Sequence, residues 1–304
     1  MQTSLAIEVA GLRLRNPTVL ASGVLGISGS ILRRTAKAGA GAVVTKSLGL
    51  TPRSGYKNPT IVGLEDGLIN AMGLPNPGAE EFLEDLAVAK EGGVPVIVSI
   101  FGSSLDEFSE VARIVEKGGA DAVELNLSCP HVATTGLQLG QDPKLVKELT
   151  KRVKKEVRIP VIAKISANVS SITDVAGAAE EGGADAITAI NTLRAMAIDI
   201  DVKKPILANG IGGLSGPAIK SVGVRCVYEI YKRVKIPILG AGGVTTWKDA
   251  VEYLLAGASA VQIGTAVATE GIMVFSKVSE GIREYMKENG YREVSELVGQ
   301  AHKV

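Results

Sequence analysis

The stretch Val123-Glu124-Leu125-Asn126-Leu127-Ser128-Cys129-Pro130-His131 starts as an apolar strand and ends by presenting an amide, a hydroxyl, a thiol and an imidazole. Burying such groups costs free energy unless something binds them. The Cys129 thiol is the sharpest element. A thiol removes a carbon-bound proton or attacks an electrophile when its surroundings favour the thiolate. Free cysteine is also a small apolar side chain that closes core strands, and the local sequence accommodates either role. A protease-type dyad of Cys129 with His131 is disfavoured, because Pro130 stiffens the link and no oxyanion-hole arrangement is evident.

Other apolar runs also finish on polar groups: Thr45-Lys46-Ser47, Ser99, Lys164 with Ser166, and Asn191-Thr192. Lys46 and Lys164 each interrupt an apolar run, which points to an anionic ligand. The tips Gly240-Ala241-Gly242-Gly243 and Gly264-Thr265, with Gly212-Gly213-Leu214-Ser215-Gly216 ahead of a helix, let backbone N–H groups approach a phosphate. A phosphate at one edge, lysines near the centre and a thiol on a loop describe a phosphorylated cofactor beneath a small substrate. No G-x-G-x-x-G follows the first strand, which favours a mononucleotide such as FMN over bound NAD.

The elements that must position these groups alternate. Strands are expected at Thr18–Ser22, Ala42–Ser47, Val94–Ile100, Ala122–Leu127, Pro160–Ile165, Ala186–Ile190, Pro237–Gly240 and Ala260–Ile263, each followed by a helical pattern. Several helices end in Gly-Ala or Gly-Gly, suited to the left-handed position that closes a helix. Eight such units in 304 residues predict one α/β domain spanning residues 1–304, a (β/α)8 TIM barrel. Long insertions at 51–78 and 194–216 follow strands and therefore belong at the C-terminal mouth, where barrel active sites lie. The first holds two short apolar segments, Thr60–Leu64 and Gly67–Ile69, able to pair as a hairpin.

Composition narrows the function. A net charge of +1 with scattered Lys and Arg, and 4% aromatics, argue against nucleic-acid binding. No apolar run is long enough to cross a bilayer, and no secretory pattern is seen. The only cysteines, Cys129 and Cys226, are expected to stay reduced in a cytoplasmic protein. The two histidines and lack of Cys/His clustering give no metal-site pattern.

The chain resembles the class 1 dihydroorotate dehydrogenases. The matching segments run from Asn16-Pro17 and Ala21-Ser22-Gly23 through Thr45-Lys46-Ser47, Asn70-Ala71-Met72-Gly73-Leu74-Pro75-Asn76, Asn126-Leu127-Ser128-Cys129-Pro130, Lys164 and Asn191-Thr192 to Gly240–Gly243 and Gly264-Thr265. The block Gly212 to Lys220 looks like class 1B, the NAD-linked branch. The resemblance implies FMN across the barrel mouth, its phosphate at Gly216, Gly242, Gly243, Gly264 and Thr265. Lys164 would lie near the pyrimidine edge of the flavin, and Ala21, Ser22, Lys46, Ser47, Ser99 and Asn126 would also contact it. Dihydroorotate would place its carboxylate near Lys46 and the backbone of Met72, Gly73 and Leu74. Asn70, Asn126, Asn191 and Thr192 would bind its polar edges. Cys129 would be the catalytic base. Many members have Asn where this chain has His131; an imidazole there would still reach substrate, with a different donor and acceptor pattern. The resemblance further implies a homodimer or heterotetramer with a separate subunit carrying FAD and a [2Fe–2S] cluster, since this chain lacks four cysteines for a cluster. Three other readings stay open: a fumarate-linked class 1A enzyme, an FMN-dependent dihydropyrimidine dehydrogenase, and a non-catalytic phosphate-binding barrel.

Overall fold

The computed structural model describes residues 3–127 and 139–303. Eight parallel strands close into a barrel: β1 (Thr18–Leu20), β2 (Ala42–Val44), β3 (Val96–Ile100), β4 (Ala122–Asn126), β5 (Val161–Ile165), β6 (Ala186–Ala189), β7 (Ile238–Ala241) and β8 (Ala260–Ile263). Neighbours in the barrel are neighbours in sequence, and β8 pairs with β1 to complete the ring. Each expected strand contains or overlaps the observed one. Prolines mark four starts. Pro17, Pro95, Pro160 and Pro237 have no N–H to give, yet their carbonyls accept from Val261, Val43, Val123 and Ile187 of the neighbouring strands at 2.8, 3.1, 2.9 and 3.0 Å.

Helices return the chain to the start of each next strand: α1 (Gly29–Lys37), α2 (Leu83–Lys90), α3 (Leu105–Lys117), α4 (Pro143–Glu156), α5 (Ile172–Glu181), α6 (Lys220–Arg233), α7 (Trp247–Ala256), α8 (Ala266–Glu270) and α9 (Val274–Glu288). Ser28, Ser104, Ser171 and Thr246 accept backbone N–H bonds at the starts of α1, α3, α5 and α7. The glycines after α1, α3, α5 and α7 do adopt positive φ, at +121° for Gly39, +91° for Gly119, +94° for Gly183 and +119° for Gly257.

Side chains alternate in and out along each strand. Val19, Ala42, Val44, Ile97, Ala122, Ile162, Ala186, Leu239 and Ala260 form one apolar cluster inside the barrel. Val9, Leu12 and Leu14 join it from an N-terminal antiparallel hairpin, Ile7–Val9 with Leu12–Leu14, which plugs the barrel floor. That hairpin was not among the sequence expectations. Its strands have three residues each, too few to show a period. A second, larger cluster packs the outer strand faces against the helices.

Both insertions follow strands and so emerge at the C-terminal mouth. The expected hairpin forms as Ile61–Leu64 with Gly67–Asn70. It does not stand alone. The second insertion contributes Leu193–Ala195 and Gly212–Ser215, making a four-stranded antiparallel sheet, plus a small ladder of Ile198–Asp199 with Lys204–Pro205. Among the described residues no helix is long and apolar enough to cross a membrane.

Candidate active site

Two residues beyond the apolar floor, the barrel interior turns polar. Glu124, Lys164, Thr188 and Gln262 are buried and touch one another from β4, β5, β6 and β8. The Lys164 ammonium donates to Gln262 Oε1 at 2.8 Å and lies 3.4 Å from Glu124 Oε1. Glu124 Oε2 accepts from Thr188 Oγ1 at 2.9 Å and from Gln262 Nε2 at 2.6 Å. The Gln262 amide can face only one way here, since an ammonium only donates and a carboxylate only accepts. Lys164 is thus already countered by a carboxylate, so its charge does not by itself demand an anionic ligand. Its aim is fixed from below instead.

Lys46 keeps that inference. It lies two positions beyond β2, 7% exposed, and makes no side-chain hydrogen bond or ion pair among the described residues. Burial pushes its ammonium below the ordinary value. A buried cation without a counter-charge favours an anion beside it.

Above the interior layer runs a chain of hydroxyls and amides. Ser99, fully buried, meets Ser47 Oγ at 2.9 Å, and Ser22 Oγ approaches Ser47 at 3.5 Å. Asn126 donates to Ser47 Oγ at 3.1 Å and accepts from Asn191 Nδ2 at 3.3 Å. Asn191 Oδ1 in turn accepts the Thr192 N–H at 2.8 Å. Six of the predicted positions thereby share one network at the C-terminal ends of β1, β2, β3, β4 and β6. Asn70 joins from the overlying sheet, donating to Gly213 O at 3.3 Å. A Cβ on Gly213 would fall 2.2 Å from Thr192 Oγ1, so glycine alone lets Thr192 and the sheet come together.

The loop after the hairpin presents backbone. Gly73 and Leu74 take φ of +73° and +58°, and Asn76 holds the turn by donating to Leu74 O at 2.9 Å and accepting from Gly49 N and Gly78 N. A Leu in the left-handed region is uncommon. Gly216, Gly242 and Gly243, the glycines expected to cradle a phosphate, take φ of +97°, +119° and +71°. A Cβ on Gly243 would sit 2.8 Å from Gly216 O, while one on Gly264 would meet nothing closer than 3.4 Å. Thr265 Oγ1 donates to Ser215 Oγ at 2.8 Å, tying β8 to the sheet. The glycine turns suit a phosphate, and the amide and hydroxyl network suits a planar polar ring.

Cys129 and His131, the expected base and its neighbour, lie outside the described residues. Sequence reading missed Glu124, Thr188 and Gln262, and it missed Asn168. The Asn168 side chain joins the ends of β5 and β6 through Ser166 Oγ at 2.7 Å, Thr192 O at 3.0 Å and Arg194 N at 3.0 Å. The available signal for the first three was a polar residue at the same relative position in four apolar strands.

Comparison with known proteins agrees with this architecture. The dihydroorotate dehydrogenase family profile matches residues 4–286. A Pyrococcus furiosus protein named dihydroorotate dehydrogenase B (NAD(+)), catalytic subunit, is 54% identical over 302 residues, covering 99% of this chain and 100% of the relative. Proteins of the same name from Methanocella arvoryzae and Methanocaldococcus jannaschii are 53% and 49% identical, over 98% of this chain and 97% and 98% of their own lengths. A match of this extent and identity, on a closed eight-stranded barrel, means that the chain belongs to the dihydroorotate dehydrogenase family.

Proposed function

We propose that this chain oxidises dihydroorotate to orotate in pyrimidine biosynthesis, with FMN as its resident redox group. The carrying observation is Lys46: a buried cation with no acidic partner among the described residues, beside the Ser47–Asn126–Asn191 network. That pairing suits a small ring bearing a carboxylate and amide edges. It favours dihydroorotate over an uncharged uracil-like substrate. A phosphate-binding barrel without catalysis would leave Lys46 and the amide network unused.

The residues divide the work. Lys46 and the backbone of Met72, Gly73 and Leu74 hold the carboxylate. Asn70, Asn126, Asn191 and Thr192 orient the ring. Cys129 takes the proton from C5 while the C6–H bond breaks, and the C5–C6 bond becomes double. FMN, when bound, supplies the acceptor for the hydride. Gly216, Gly242, Gly243, Gly264 and Thr265 hold its phosphate. The glycine turns fit that group, because Gly243, at φ +71° and with Gly216 O 2.8 Å from where a Cβ would sit, admits no side chain and leaves bare backbone at the turn. Ala21, Ser22, Ser47 and Ser99 support the flavin, and Lys164, aimed by Glu124 and Gln262, offers its cation.

The chain acts as one unit in the cytoplasm. It passes electrons to a separate subunit with FAD and a [2Fe–2S] cluster, and through it to NAD. The names of the relatives, each a catalytic subunit of an NAD(+) enzyme, support this reading. The isolated chain should then reduce dyes but not NAD, whereas strong fumarate turnover would assign it to the fumarate-linked class.

The test is the visible spectrum of the purified chain before and after anaerobic dihydroorotate. Wild type should bleach. Cys129→Ala should keep the oxidised flavin spectrum and bleach about 10²–10⁴-fold more slowly, the usual contribution of a general base. Near-normal bleaching in that variant would remove Cys129 from the mechanism.

A further inference from the structure

The largest fully buried side chain lies behind the glycine cradle. Tyr253, on α7, is 0% exposed. Its hydroxyl donates to Gly242 O at 2.7 Å, with Ala241 O at 3.2 Å. Burial pushes the phenol well above its ordinary range, so the proton needed for donation stays in place.

The peptide that Tyr253 grips is the one joining Gly242 to Gly243. A trans peptide is planar, with its C=O and N–H pointing in opposite directions. Tethering the Gly242 carbonyl to the buried hydroxyl therefore turns the Gly243 N–H away from the interior. That N–H donates to no acceptor among the described residues, and Gly243 is half-buried. Glycine peptides rotate easily, since neither residue has a Cβ to restrict φ and ψ. Without a tether, this one would lose its aim.

The slot around Tyr253 depends on glycines at costly positions. A Cβ on Gly240, within β7, would lie 2.4 Å from the ring. A Cβ on Gly223, inside α6, would lie 1.9 Å from the hydroxyl. Glycine inside a strand or a helix weakens that element. Here both make room for one side chain, and Gly223 makes room specifically for its hydroxyl. Phenylalanine would fill the same apolar volume and remove the atom nearest Gly223, leaving the ring tip 3.0 Å from a Cβ there.

We propose that Tyr253 is a positioning residue for the phosphate of the flavin nucleotide, orienting the Gly242–Gly243 peptide so that its N–H faces the anion. The inference rests on the FMN reading above. The experiment compares two ligands that differ only by the phosphate. The full-length chain, freed of flavin by dialysis against bromide, is titrated with FMN and with riboflavin, following flavin fluorescence. Tyr253→Phe should weaken FMN about five- to tenfold, the effect of losing one hydrogen bond, and leave riboflavin within about twofold. Gly223→Ala, which displaces the hydroxyl while keeping the tyrosine, should cause the same selective loss; added to Tyr253→Phe, it should cause no more. Should Tyr253→Phe fail to fold, Gly223→Ala decides the matter alone. Equal losses for both ligands would make Tyr253 a support of the pocket, and unchanged FMN affinity would remove its role; either overturns the proposal. A wild-type chain that binds both ligands equally well would instead overturn the phosphate site on which it stands.

Discussion

The buried pair of Glu124 and Lys164 can be broken from either side, and the outcomes differ in a way that tests how the site is held. At 3.4 Å, and with an effective dielectric near 20, the gross attraction is about 5 kcal/mol. Desolvation offsets much of that, so a hydrophobic replacement of the whole pair need not destabilise strongly. Removing one partner is another matter. Glu124→Gln leaves the Lys164 ammonium buried without its counter-charge, and the expected loss is about 3–5 kcal/mol. Lys164→Met leaves the carboxylate stranded, though still bonded to Thr188 and Gln262, and about 2–4 kcal/mol is expected. The double variant carries no uncompensated charge and should lose only about 2 kcal/mol, well short of the sum. The assay is urea unfolding of the flavin-free chain, followed by far-UV circular dichroism and by the fluorescence of Trp247, the only tryptophan. Additive losses, within about 0.5 kcal/mol, would refute the reasoning and mean that Glu124 does not hold the Lys164 charge.

Two further outcomes follow from titrating groups. Burial alone would raise the Asp249 carboxyl, but bonds from Lys220, Thr246 and Thr245 outweigh it and bring the group down to about 2. A lowered carboxyl stabilises the fold above its unfolded value and loses that contribution as pH falls toward 2. Asp249→Asn should therefore flatten the acid limb of stability between about pH 4 and pH 2 by about 1 kcal/mol, after allowing for solvent screening; parallel limbs in acid urea titrations would reject the assignment. Burial pushes the Cys226 thiol up to about 11, with Arg225 opposing and Glu229 adding to the shift. At pH 8 only about one thiol in a thousand is then ionised, so iodoacetamide should leave Cys226 unlabelled until denaturant is added. Peptide mapping that finds Cys226 alkylated in the native chain would contradict this.

The barrel was legible because its signals repeat. Each strand is a short apolar run, and α1, α3, α5 and α7 each stop at a glycine that the structure places at positive φ. Repetition outweighed the weakness of any single segment. The N-terminal hairpin, Ile7–Val9 with Leu12–Leu14, repeats nothing and is too short to carry its own period. The strands Leu193–Ala195 and Gly212–Ser215 were hidden for another reason. Gly212–Ser215 exists as a strand because the hairpin from a segment more than a hundred residues away supplies its partner, Gly213 opposite Asn70, and Leu193–Ala195 then pairs with Gly212–Ser215. The glycine-rich Gly212–Ser215 has little strand propensity of its own, and Leu193–Ala195 is only three residues long.

The residues of the mouth were legible from their types at strand ends, but the layer that supports them was not. Strands of a parallel barrel are buried on both faces, so they read as continuous apolar runs with no polar side to mark the inward phase. Glu124 in Ala122–Asn126 and Gln262 in Ala260–Ile263 then look like isolated polar residues in unrelated strands. The phase comes only from packing. Once Ala122, Ile162, Ala186 and Ala260 form the floor, a step of two residues along each strand brings Glu124, Lys164, Thr188 and Gln262 to one level. The same step explains why a lysine whose place in an apolar run pointed to an anionic ligand is a buried cation countered by a carboxylate. Its carboxylate is forty residues away in the chain, in Glu124, and only the closed register of β4 against β5, Asn126 opposite Lys164, brings the two together.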